Sequence, residues 1–217
     1  MRHGVVGLIL GALAAGVLDL AAQTAYPVAP RALPDDEEIA LATSAAPPAI
    51  AAGADVYVIR ASGPVKLRSG TNGVACMVSR DLHDGSQYPI CFDRAASETV
   101  MQREMLENRL RAGGLEEAKV QERVKAAFAD GTLRQPSGPS VAYMMSPRQV
   151  LFSDAAESGR RVGAWHPHLM LYLPRLTRAQ LGLDTADVDV LQLDHSGEPD
   201  ALLVVKVPAW SDGTPAH

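Results

Sequence analysis

The sequence predicts an α+β domain in which an antiparallel β-meander and further antiparallel strands pack against a helical hairpin. Three observations predict it. Residues 54–92 hold short β-branched and aromatic runs punctuated by Gly, Asn and Asp; residues 95–129 hold two runs of helical period broken at Gly113 and Gly114; and strand-like runs return after Pro136. The densest of these last runs, GAWHPHLMLYLP at 163–174, organises the second half of the chain.

Before the domain, Arg2 and His3 precede an apolar run from Val5 to Val17, and Ala21, Ala22 and Ala25 offer cleavage positions. That run is about thirteen residues, the size of a secretory h-region, and shorter than the about 20 residues that span a bilayer. The chain is therefore expected to divide into a signal peptide (1–25), a Pro- and Ala-rich linker (26–34), one α+β domain (35–210) and a C-terminal tail (211–217). The expected location is periplasmic or secreted, with no membrane span after cleavage. The 217 residues suit one domain with a sizeable core.

Asp35, Asp36, Glu37 and Glu38 open a short helix to about Ser44, placing acids at a helix N-terminus as a solvated cap, and Pro47 and Pro48 end it. Strands are expected at 55–60, 65–68, 74–79 and 88–92, with turns at 61–64 and at Thr71-Asn72-Gly73, where Asn-Gly tolerates a tight hairpin. A hairpin centred between His83 and Asp84 sets Cys76 opposite Cys91, close enough for a cross-strand disulfide. Such a bridge contributes about 3 kcal/mol by chain entropy, and export provides the oxidising compartment it needs. Helices follow at 95–112 and 115–129, the second with Val120, Val124, Ala127 and Phe128 on one face. Strands at 141–145 and 149–152 flank a Ser146-Pro147 turn, and a polar loop occupies 154–159. After the 163–174 stretch come a short helix near 177–181 and strands at 188–193 and 201–207, joined by the turn DHSGEPD at 194–200. In a strand at 168–173, Leu169, Leu171 and Leu173 would face the core. His166, His168, Met170 and Tyr172 would share the other face.

Three segments, AYMMS at 142–146, HPHLMLY at 166–172 and VPAWSDGT at 207–214, resemble a group of exported bacterial proteins to which no function is assigned. The resemblance covers roughly the C-terminal third and implies no activity, ligand or catalytic residue.

With 20 Lys+Arg against 25 Asp+Glu, a net charge of -5 and dispersed basic residues, the chain lacks the clustered cations that nucleic acid requires. Its 5% aromatic content offers few stacking platforms for single strands. No Gly-rich phosphate loop appears. His166, His168 and Met170, with Met144 and Met145 on a neighbouring strand, form a ligand set suited to copper or zinc. Ser140, Ser146, Ser153 and Ser196, with His166, His168 or His195, permit a hydrolase arithmetically, without a Gly-x-Ser-x-Gly elbow. Asp194, His195, Glu198 and Asp200 read as turn formers that resemble a ligand cluster. The reading that needs no further assumption is a non-catalytic binding or structural module of the cell envelope, with an envelope protein as one possible kind of partner.

Overall fold

A computed structural model describes residues 33–60, 62–80, 86–150, 166–182 and 191–216. The expected signal peptide, the linker up to residue 32, the tip of the His83-Asp84 hairpin, Ser153, the loop at 154–159 and residues 188–190 of the expected strand lie outside the described residues.

The chain forms α1 (Asp35–Thr43), α2 (Pro48–Ala51), β1 (Asp55–Arg60), β2 (Gly63–Arg68), β3 (Ala75–Arg80), β4 (Gln87–Phe92), α3 (Arg94–Ser97), α4 (Val100–Ala112) and α5 (Glu117–Ala129). After these come β5 (Ser140–Met144), β6 (His168–Tyr172), a 3-10 turn (Ala179–Leu181), β7 (Leu191–Asp194) and β8 (Leu202–Lys206). The strands make one 8-stranded sheet in the order β2-β1-β3-β4-β5-β6-β8-β7, which establishes the α+β class. Of the expected strand at 149–152, Val150 makes an isolated bridge to Gln87.

The first four strands depart from a simple meander. β1 and β2 pair antiparallel, but β3 lies on the other side of β1 and runs parallel to it. Thr71-Asn72-Gly73 is consequently not a hairpin turn. It belongs to a link that passes across the start of β1. Thr71 N donates to Gly53 O at 2.7 Å, Asp55 N donates to Val74 O at 2.8 Å, and the Asn72 amide donates to Ile50 O at 2.7 Å. Gly70 makes the crossing possible: a Cβ there would lie 2.3 Å from Ala54 C, Asp55 N and Gly53 O.

The two faces of this half-sheet bury different elements. On one, Leu41, Ala42, Ala45 and Ala46 pack on Val56, Val78 and the disulfide between Cys76 and Cys91. On the other, Ala96, Met101 and Met105 pack on Met77, Ile90, Phe92, Ala142 and Tyr172. α5 does not lie on the sheet; it packs against α4 through Val120, Val124 and Ala127, with Leu106 and Leu110.

Buried polar groups seat the helices. Glu38, expected as part of a solvated cap, is 0% exposed and paired with Arg80. It sits three and four residues before Leu41 and Ala42, so helical spacing places it on the buried face. On the opposite side of the sheet, Asn108 receives Arg80 N at 2.7 Å and donates to Ser79 Oγ at 2.9 Å. Ser79 Oγ and Tyr88 OH both donate to Glu104. Burial and the neighbouring Glu104 push the Tyr88 hydroxyl well above its ordinary pKa.

Candidate functional site

β6 has the expected alternation, but the drier face is the opposite of the expected one. His168 and Tyr172 are buried, whereas Leu169, Leu171 and Leu173 are only half-buried. Register explains this. Met170 pairs with Ala142 and Tyr172 with Ser140, which brings that face under the α3–α4 cluster containing Met101 and Met105.

The two histidines differ in burial. His166 is exposed and precedes the strand, while His168 is buried. The His168 Nδ1–H donates to the His166 carbonyl at 2.7 Å, which fixes that tautomer. Burial holds the imidazole of His168 below its ordinary pKa. Met170 Sδ is half-buried and receives Tyr172 OH at 3.9 Å. Met144 lies across from His168, and Met145 N is bonded to Ala45 O. Among the described residues, no group of three or more His, Cys, Asp and Glu side chains could hold a metal ion.

The serines tie distant segments together. Ser146 Oγ lies 2.6 Å from Ser44 Oγ, and Ser211 Oγ donates to Ser44 O at 2.5 Å. Ser211 N donates to Met145 O, and Val207 N donates to Pro167 O. AYMMS, HPHLMLY and VPAWSDGT are thus neighbours in space, pinned to one another and to the end of α1. Ser211, the first residue of the expected tail, is one of the pins. Ser196 Oγ accepts from Arg178 N at 3.1 Å, and Ser140 Oγ is buried without a hydrogen-bond partner among the described residues. His195 and Asp200 do meet, Nδ1 to Oδ2 at 3.0 Å, and Arg103 donates to the same oxygen at 3.3 Å. This joins the 194–200 turn to α4 and leaves Asp200 engaged from two sides.

Among the described residues, one concave surface of about 350 Å³ lies beside these pins, lined by Thr43, Ser44, Arg68 and Ser211, and another lies where the starts of β1 and β3, the α3–α4 junction and the loop after α5 meet. One lobe, about 400 Å³, is lined by Asp55, Tyr57, Met101 and Gln102; the adjoining lobe, about 360 Å³, is lined by Thr99, Gln135 and Pro136. Glu98 and Arg134 line both. Each lobe falls within the range of about 300–1,000 Å³ usual for ligand sites. At its margin, Asp55 is bonded to Lys66 at 2.8 Å and to Gly70 N at 2.6 Å, and these bonds hold its carboxyl below the usual range. Lys66 Nζ also stands 5.1 Å from the Tyr57 ring centroid. Glu98 and Arg134 are exposed and have no ion pair among the described residues.

No family model, curated protein or solved structure matches the chain. The site is therefore read from its own chemistry. Sequence reasoning did not find Glu98, Gln102 or Arg134. Each stands in an ordinary helix end or loop, and only the fold brings residues this far apart to one cleft.

Proposed function

We propose that the chain is a non-catalytic binding module of the cell envelope, exported by its N-terminal segment, that takes its ligand in the cleft between Glu98 and Arg134. The observation that carries this reading is a contrast in how polar groups are used. Ser44, Ser146, Ser196 and His168 make bonds that pin loops and strands. The cleft instead combines an exposed carboxylate and an exposed guanidinium, without an ion pair to either among the described residues, in a mainly polar wall that also carries Asp55, Gln102 and Thr132. The buried Cys76–Cys91 disulfide supports export, because such bonds persist in oxidising compartments. No helix among the described residues is long and apolar enough to cross a membrane.

The test starts from the full precursor made in a bacterial host. The mature protein should appear in the exported fraction with an N-terminus near residue 23 or 26 and sediment with purified envelope material, and a Glu98→Ala/Arg134→Ala double variant should remain in the supernatant. Undiminished sedimentation of that variant would remove the cleft from the function. Turnover of a panel of ester, amide and phosphate substrates, abolished by His195→Ala, would replace the binding reading with an enzymatic one.

A further inference from the structure

The cleft sets an acceptor-only group and a donor-only group along the same wall without letting them satisfy each other. A carboxylate only accepts hydrogen bonds and a guanidinium only donates them. Glu98 and Arg134 line both lobes, yet no salt bridge joins them or ties either to another described residue. A ligand that engages both must carry groups that donate and accept, and hydroxyls do both. Gln102 adds an amide whose nitrogen is held by Ser97 O at 2.9 Å. Half-buried Tyr57 adds an aromatic ring, which suits the C–H face of a sugar ring.

Two alternatives fit less well. A strongly anionic ligand would meet the carboxylate of Glu98, which no described cation neutralises, beside an Asp55 already paired with Lys66. An extended peptide gains most of its affinity by adding to a sheet edge, but β1 and β3 are interior strands, each paired on both sides. The two adjoining lobes favour a short chain over a single ring.

We propose that this cleft binds a neutral oligosaccharide, with Glu98 and Arg134 bridging its hydroxyls where the two lobes join and Tyr57 against a sugar face. This rests on the reading of the cleft as the binding site. Isothermal titration of the full mature chain with chitotetraose, maltotetraose and a zwitterionic tetra-alanine peptide tests it. One of the oligosaccharides should bind with an affinity that is nearly the same at low and high salt, because the ligand carries no charge to screen. Glu98→Ala and Arg134→Ala should each weaken binding about tenfold or more, the loss expected when a partner of a buried hydroxyl is removed. Both side chains are exposed, so the melting midpoint should hold. Binding of neither oligosaccharide, or binding untouched by both substitutions, overturns the proposal. Peptide binding alone, lost in the same variants, overturns the ligand class. Sedimentation with envelope material separates the two readings: if it still depends on the cleft while the sugars fail, only the glycan assignment falls.

Discussion

Arg80 and Glu38 meet as a buried bidentate pair, with both terminal guanidinium nitrogens donating to the two carboxylate oxygens at 2.7 Å each. The pair joins α1 to the end of β3, and Leu33 N adds a third bond to the same carboxylate at 3.0 Å. Removing one partner of such a pair strands a charge in the interior. Glu38→Ala is expected to lower stability by about 3 to 5 kcal/mol in urea unfolding. The double variant Glu38→Leu/Arg80→Met should recover most of that loss, and a double variant as unstable as the single would contradict this account.

Cys76 and Cys91 face each other in the register of β3 and β4 and are both 0% exposed. Intact mass after alkylation without reductant should show no free thiol. Cys76→Ala/Cys91→Ala should cost about 2 to 5 kcal/mol. Two alkylated cysteines in exported protein would contradict the bridge.

Gly70 lies against backbone atoms that cannot move aside as a flexible side chain can. Gly70→Ala should therefore destabilise by an amount near the upper part of the about 1–3 kcal/mol range for overpacking. Gly138 has open space around its Cβ position, and Gly138→Ala is the matched control, expected to be close to neutral. Equal midpoints for the two variants would show that the link does not cross β1 this closely.

The imidazole of His168 is buried and its pKa is lowered mainly by that burial. The unfolded chain therefore takes up the proton first as pH falls. Stability from this group is present above the ordinary value of about 6.5 and is lost as pH drops below it. The difference in midpoint between wild type and His168→Phe should shift in favour of the variant from pH 7 to pH 5, and a constant difference would refute the linkage. In the same assay, micromolar copper or zinc should leave the wild-type midpoint unmoved. A rise abolished by both His166→Ala and His168→Ala would instead make these residues, with Met170, metal ligands.

Phe92 is fully buried and Leu171 half-buried. Phe92→Ala should cost about 3–5 kcal/mol, and Leu171→Ala less than the about 2–5 kcal/mol of a buried leucine. Denaturant unfolding that ranked Leu171→Ala as the more severe would restore the expectation that its face is the main core.

The sequence by itself determined the features that depend on neighbours close along the chain: the period of α5, the alternation of β6, the register that opposes Cys76 and Cys91, and the break at Gly113 and Gly114. These follow from side-chain spacing and turn chemistry, which act over a few residues. Only the tertiary structure decided which strand lies beside which. A strand offers equivalent hydrogen-bonding groups on both edges, so nothing local told β3 to cross to the far side of β1. The same holds for burial: alternation sorts residues into two faces, but the helices that arrive on a face decide how dry it is. That is why Glu38 turned inward, why His168 is buried beside half-buried leucines, and why Glu98 and Arg134 came to line one cleft.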